Sequence, residues 1–157
     1  MSAARGAAAP PAWGRVPAAD ALDIGAVLHR GARSADAPAG AGGSCTGVFT
    51  EDAVVVAPGV TARGPAEIAG QLRAAARDPH LVTDTVLRRL GPDRVRAWSK
   101  WLVVRGDGSV LSGDQLDLLV RTPQGWRIAE RRLTPVDFAA PGRGSAGRGG
   151  GMREFLA

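Results

Sequence analysis

The sequence contains one cysteine, two histidines and no tyrosine. Cys45 alone cannot form an internal disulfide, and with His29 and His80 it falls short of the four ligands of a structural zinc site. The glycine-rich stretch 143–151 lacks the lysine and hydroxyl residue that end a phosphate-binding loop. We therefore expect no metal and no nucleotide cofactor, and the near absence of cysteine fits a reducing, cytoplasmic location.

Long apolar runs are also missing. No stretch of 18 apolar residues occurs, so the sequence predicts no transmembrane helix. Residues 1–17 are rich in alanine and proline but lack the charged and then apolar layout of a secretion signal. We expect no membrane partner.

The basic residues give a formal net charge of +5, but their distribution does not indicate a nucleic-acid partner. The two ends, 1–17 and 139–157, hold five arginines and one glutamate, which leaves the region between them near +1. In that region arginines alternate with acids, whereas a nucleic-acid binder clusters positive charge on one face. We therefore expect no nucleic-acid binding.

The second half of the chain reads as four long strands joined by turn sequences. Asp107-Gly108 in the second join is a strong hairpin signal, and Pro123 and Gly125 in the third suit a type I turn. Joins this short force neighbouring strands to run antiparallel. The predicted strands are 81–90, 94–105, 110–121 and 126–133.

The first half predicts elements that cover one face of this sheet. Apolar residues at helical spacing predict a helix over 18–35, and Gly64-Pro65 opens a second helix that runs to about residue 77. Two short strands, 53–57 and 60–63, lie between the helices. Residues 1–17 and 139–157 are predicted to be a flexible leader and tail, which leaves one domain over 18–138.

Helices on one side of an antiparallel sheet define an α+β fold. If the sheet curves around the helices, it encloses a cone-shaped barrel with an apolar interior, which is a natural site for a small molecule.

Four segments resemble the SnoaL-like branch of the nuclear transport factor 2-like superfamily. They are 48–54 (VFTEDAV), 62–68 (ARGPAEI), 80–84 (HLVTD) and 125–132 (GWRIAERR). The resemblance implies a cone-shaped α+β barrel and a homodimer that pairs through the sheet face. The family includes polyketide cyclases, scytalone dehydratase-like lyases, isomerases, hydrolases and binding subunits without catalytic activity, so the fold does not choose a reaction.

Asp36 and His80 match the pocket aspartate and histidine of the dehydratase-like members. A histidine suits proton transfer next to a carbonyl, because its pKa lies near neutrality and a carboxylate can orient its ring. The resemblance therefore assigns catalytic roles to both residues. The alternatives are a helix-end cap for Asp36 and a structural role at the start of a strand for His80.

The sequence departs from the dehydratase-like pattern elsewhere. Those members polarise the substrate carbonyl with tyrosines, which are absent here. Arg105 and Gln115 stand near the family's other polar positions, and together with Asp117 they could bind the substrate in place of the missing groups. Alternation along a strand puts Gln115 and Asp117 on one face. That face either lines the cavity, where Arg105 or Gln115 would stabilise an enolate oxygen, or forms an exposed or dimer-facing polar row.

The tryptophans and one glutamate leave further alternatives. Trp98 and Trp101 point to opposite faces of their strand, so one of them, with Trp101 as our candidate for contacting a substrate, can line the cavity. Glu130 falls on the same predicted face as Trp126 and is a second carboxylate for the cavity or a partner in a surface ion pair.

Two functions follow as hypotheses. The first is an enzyme without a cofactor, a cyclase, dehydratase or isomerase of secondary metabolism that acts on a polyketide-like carbonyl compound. The second is a ligand-binding or accessory subunit on the same fold. A third hypothesis, a module that binds other proteins through the open sheet face, would require a large exposed apolar patch.

Overall fold

The computed structural model describes residues 14–36, 45–75 and 78–136. Most of the predicted leader and all of the predicted tail lie outside these ranges. The elements, in chain order, are α1 (Ala18–Asp36), β1 (Phe49–Ala57), β2 (Val60–Arg63), α2 (Gly64–Ala75), β3 (His80–Gly91), β4 (Arg94–Val104), β5 (Val110–Thr122) and β6 (Gly125–Val136). The predicted α+β class is confirmed.

The apolar stripe of α1 packs against the sheet. Its buried positions recur every three or four residues, which is the period of one helix face, and are Ile24, Val27, Leu28, Gly31 and Ala35. They join a core to which α2 contributes Ile68 and the sheet contributes, among others, Leu119 and Ile128. Neither helix in the described part of the chain is long and apolar enough to cross a bilayer.

The six strands form one sheet in the order β2-β1-β6-β5-β4-β3. The four long strands pair as the predicted antiparallel meander. The prediction was wrong in two details, because β1 begins at Phe49 instead of residue 53 and pairs with β6 in parallel. The sheet is therefore mixed and open, with β2 and β3 at its two edges.

Two irregularities bend the strands. In β3 the register shifts between Thr83 and Val86, and Asp84 adopts a φ of 52°, a left-handed conformation that few residues other than glycine take. In β6 one residue, Ala129, is extra, because Ile128 pairs with Leu119 while Glu130 pairs with the adjacent Leu118. Such bulges increase local twist and help the sheet curve around the helices.

Asp20 ties the first turn of α1 to the far end of the sheet. Its carboxylate pairs with Arg121 and accepts a 3.3 Å hydrogen bond from Trp126 Nε1. The guanidinium of Arg121 lies 4.6 Å from the Trp126 ring centroid, so three side chains form one surface clasp. The hydrogen bond from Arg121 is the main cause that holds the pKa of Asp20 below its usual range.

This clasp makes part of the stability depend on pH. A carboxyl whose pKa is lower in the folded chain stabilises the fold above its unfolded pKa of about 3.9, and the contribution is lost as the pH falls through the folded value. Asp20→Asn is therefore expected to be less stable than the wild type at pH 7, with a difference that shrinks on acidification below about pH 4. Urea unfolding at several pH values measures this difference, and a difference independent of pH would contradict the prediction.

Candidate active site

A cavity of about 400 Å³ lies between α1, α2 and the concave face of the sheet. Its volume falls within the range of about 300–1,000 Å³ that is usual for small-molecule sites. Apolar side chains form most of the lining. The lining residues with a polar or charged side chain are Asp78, His80, Trp101, Arg105, Gln115 and Arg131.

Asp36 and His80 meet at the rim of this cavity. Oδ1 of Asp36, at the last position of α1, lies 2.8 Å from His80 Nδ1 and accepts a second 2.8 Å hydrogen bond from the His80 backbone N–H. The Asp36 and His80 side chains are 35% and 23% exposed, respectively. An ionised carboxylate only accepts hydrogen bonds, so Nδ1 carries the proton of the neutral ring. Nε2 is then the nitrogen that can take a proton from a bound molecule.

The inner end of the cavity is built on a buried ion pair between β5 and β6. Arg131 donates from Nε and Nη2 to the two carboxylate oxygens of Asp117, at 2.7 and 3.3 Å. Gln115 Nε2 donates to Asp117 Oδ2 at 2.6 Å. Gln115 and Arg131 line the cavity, and the fully buried Asp117 holds both of them in place.

Trp101 forms a flat part of the cavity wall. Its Nε1 donates to the backbone carbonyl of Asp114 on the neighbouring strand at 3.2 Å, and Trp101 is paired with Gly113. A Cβ at Gly113 would lie 2.7 Å from both Cε2 and Cζ2 of the indole. The ring therefore lies across β5, where only glycine leaves room for it.

Gly113→Ala is expected to destabilise the protein by about 1–3 kcal/mol, the usual cost of overpacking. The new methyl group would meet the Thr134 carbonyl oxygen at 2.2 Å as well as the indole, and the backbone oxygen cannot easily move. Gly70→Ala in α2 is the matched control, since nothing lies within 4 Å there and alanine favours a helix. The two changes should have opposite signs in urea unfolding. Equal stability of Gly113→Ala and the wild type would contradict the prediction, because both the Trp101 ring and the Thr134 carbonyl would then have to move without cost.

Arg105 and Asp78 lie where the cavity opens. Arg105 follows the end of β4 and is exposed, while it also lines the cavity. Asp78 Oδ1 accepts a hydrogen bond from Gly106 N–H at 3.3 Å, which connects the turn before β3 to the β4–β5 hairpin. The opening is thus formed by two loops that are held together.

Of the six residues that the sequence proposed, His80, Trp101, Arg105 and Gln115 line the cavity, Asp36 is bonded to His80, and Asp117 lies beneath Gln115. Trp98 lies on the opposite, outer face of the sheet, as the alternation of β4 requires.

Arg131 is the site residue that sequence reasoning missed. Simple alternation from Trp126 puts Glu130 on the inner face, but the bulge at Ala129 reverses the alternation. Glu130 is therefore exposed on the outer face, and Arg131 is buried on the inner one. No feature of the local sequence marks the bulge. The one available signal was the cost of burying Asp117, which demands a nearby cation.

Metal ligands do not cluster in the ranges that the structure covers. Within 14–36, 45–75 and 78–136, His, Cys, Asp and Glu side chains form no group of three that could hold a metal ion.

The model of the SnoaL-like domain family matches residues 17–132, which is more than half of the chain. The chain belongs to the SnoaL-like family. Together with the fold, this match shows membership of the nuclear transport factor 2-like superfamily that the four sequence segments indicated. No curated protein matches the chain.

Solved structures share the fold of this SnoaL-like protein. A protein of unknown function from Nostoc punctiforme, with a cystatin-like fold, is 19% identical with a TM-score of 0.69 and covers 81% of this chain and 98% of its own. An NTF2-like protein from Novosphingobium aromaticivorans is 25% identical with a TM-score of 0.65, over 78% of this chain and 85% of its own. LinA is 18% identical with a TM-score of 0.64, over 78% of this chain and 95% of its own.

Proposed function

We propose that this SnoaL-like protein is an enzyme without a cofactor that moves protons on a small carbonyl compound, as a cyclase, dehydratase or isomerase. The observation that carries the proposal is the 2.8 Å contact between His80 Nδ1 and Asp36 Oδ1 at the rim of a cavity of about 400 Å³. The family includes isomerases and dehydratases that need no cofactor, which agrees with this arrangement.

The first step is removal of a proton from the carbon next to the carbonyl. His80 Nε2 takes this proton, and the electron pair of the C–H bond moves onto the carbonyl oxygen to form an enolate. Asp36 stabilises the imidazolium that results. Arg131, at the inner end of the cavity, supplies a fixed positive charge for the enolate oxygen, which is worth more in a cavity with little water.

The second step decides the reaction class. Return of the proton from His80 to a different carbon completes an isomerisation. Loss of a hydroxyl group from the next carbon, with the proton of His80 given to the leaving oxygen, is a dehydration. Attack of the enolate carbon on a second carbonyl closes a ring, and the proton then goes to the new alkoxide. A polyketide-like substrate of secondary metabolism would suit each of these outcomes.

The test is uptake of deuterium at the carbon next to the carbonyl of 1-indanone in D₂O, followed by mass spectrometry. The wild type should exchange this position faster than buffer alone, and His80→Gln should not. His29→Gln is the matched control, because His29 is the other histidine of the chain and is exposed on α1. Equal exchange by the wild type and His80→Gln would refute the acid–base proposal.

A ligand-binding subunit is the second candidate function. The mainly apolar lining favours it, since an apolar cavity binds ligands without any chemistry. In that case 1-indanone should bind, as measured by quenching of tryptophan fluorescence, and show no deuterium uptake above that of buffer.

We also propose that the protein pairs with a second copy through the outer face of the sheet. Val86, Val104 and Val110 lie on this face and are 40%, 40% and 48% exposed. Burying such side chains favours association. Light scattering after size-exclusion chromatography should give the mass of two chains, and the mass of one chain would refute the pairing.

A further inference from the structure

Asp117 fixes the direction of the Gln115 side chain amide. Gln115 is 3% exposed and lines the cavity, and its contact with Asp117 Oδ2 is 2.6 Å long. An ionised carboxylate has no proton to donate, so only the NH₂ group of the amide can face it. The amide oxygen, Oε1, is therefore directed away from Asp117 and is a hydrogen-bond acceptor at the cavity wall.

Arg131, whose side chain neighbours that of Gln115, offers a hydrogen-bond donor instead of an acceptor. Its Nε and Nη2 are bonded to Asp117, and its Nη1 lies on the Gly31 side, 3.2 Å from where a Gly31 Cβ would be. Gln115 Nε2 and Arg131 Nη2 donate to the same oxygen of Asp117, so the two side chains are neighbours. Among the described residues, nothing is hydrogen-bonded to Gln115 Oε1 or to Arg131 Nη1. The cavity is therefore lined by one unpaired acceptor and one unpaired donor, on two side chains that share Asp117.

We propose that this pair recognises the cis-amide edge of a lactam, with the lactam N–H donating to Gln115 Oε1 and the lactam carbonyl accepting from Arg131 Nη1. This proposal rests on the proposed function in one point: the carbonyl that Arg131 binds is the one whose neighbouring carbon faces His80. Recognition itself needs no catalysis.

Other carbonyl groups fit the pair less well. A carboxylate or a diketone presents only acceptors, so one of its oxygens would face Gln115 Oε1 without a proton between them. An adjacent hydroxyl group supplies a donor, but in the free molecule it bonds to its own carbonyl, and that bond must break on binding. In a lactam the ring holds the planar amide in the cis form, so the N–H and C=O lie on one edge and this edge is already arranged for binding.

The experiment compares three probes of nearly equal shape. Oxindole is a lactam, 2-indanone has CH₂ in place of its N–H, and 1-methyloxindole has the N–H blocked. Affinities are measured by isothermal titration calorimetry with the full chain. Oxindole should bind at least about fivefold more tightly than either of the others, because a buried site built for a donor rejects an analogue without one. Equal or weaker binding of oxindole relative to 2-indanone, or binding of none of the three, overturns the proposal.

Replacing the acceptor, Gln115, should reverse the order of the affinities for oxindole and 2-indanone. In Gln115→Met the oxindole N–H loses its acceptor and is buried unsatisfied, so 2-indanone should become the tighter ligand. Gln71→Met, on the exposed side of α2, is the control that should keep the wild-type order. A preference for oxindole that survives in Gln115→Met overturns the proposal. If Gln115→Met fails to fold, the three-probe comparison on the wild type decides alone.

The comparison of the three probes tests lactam recognition independently of the acid–base chemistry proposed for His80. A wild type that prefers oxindole but shows no deuterium uptake refutes the proposed function and supports lactam recognition. Deuterium uptake without a preference for oxindole supports the proposed function and refutes lactam recognition.

Discussion

Replacing Asp117 with leucine is expected to lower the free energy of unfolding by about 3–5 kcal/mol. The Asp117 side chain is fully buried, and both of its oxygens are hydrogen-bonded to an Arg131 side chain that is only 7% exposed. Without the carboxylate, the guanidinium stays charged in the interior, because arginine is not deprotonated in proteins. Since domains are held by only about 5–15 kcal/mol, urea unfolding should show a variant close to the limit of folding.

The double variant Asp117→Leu/Arg131→Met separates the cost of an unpaired charge from the value of the pair. With both charges gone, the site is apolar and much of the lost stability should return. A double variant as unstable as Asp117→Leu alone would show that packing, and not the unpaired guanidinium, causes the loss.

His80→Gln is expected to slow deuterium uptake by 1-indanone about 10²–10⁴-fold, the range usual for removal of a general base. A glutamine amide has no nitrogen that takes up a proton near neutral pH. Asp36→Asn should slow the same exchange by a smaller factor, because the ring remains while the carboxylate that stabilises its charged form is gone. Mass spectrometry of the ketone after fixed times gives all of these rates.

The two residues should act as one unit. The double variant His80→Gln/Asp36→Asn is expected to be no slower than His80→Gln alone, because Asp36 acts through the ring that has been removed. Losses that multiply would mean that Asp36 contacts the substrate independently. If Asp36→Asn exchanged deuterium as fast as the wild type, the role of Asp36 would be only to accept the hydrogen bond from the His80 backbone.

Much of the fold could be predicted because its signals are local. The stripe of α1 has a helical period, and each turn between the long strands has its own turn residues. The start of β1 was missed because Thr50-Glu51-Asp52 is polar and acidic residues are unfavourable in strands. The parallel pairing of β1 with β6 joins segments far apart in the sequence, as in the contact of Phe49 with Ile128, and no local pattern reports it.

Some features of the candidate site could likewise be predicted from the sequence, and others could not. Asp36 and His80 are 44 residues apart, and their proximity was expected only from the family resemblance. That Gln115 and Asp117 share one face follows from the alternation of a regular strand, but alternation alone does not say which face is the inner one. The role of Arg131 depends on one irregular residue, which changes neither composition nor apparent period. Alternation therefore predicts regular strands well and fails just past a bulge.

The bulge at Ala129 changes which residues of β6 face the interior. Before it, even-numbered residues such as Ile128 face inward, and after it, odd-numbered ones do, so the bulge absorbs the extra residue and keeps Arg131, and not Glu130, opposite Asp117. Deletion of Ala129 would remove the bulge and leave Arg131 opposite Asp117, whereas a regular strand that kept Ala129 would place Glu130 there and bring two carboxylates together. The sign of the charge at the base of the cavity thus depends on whether β6 keeps this bulge.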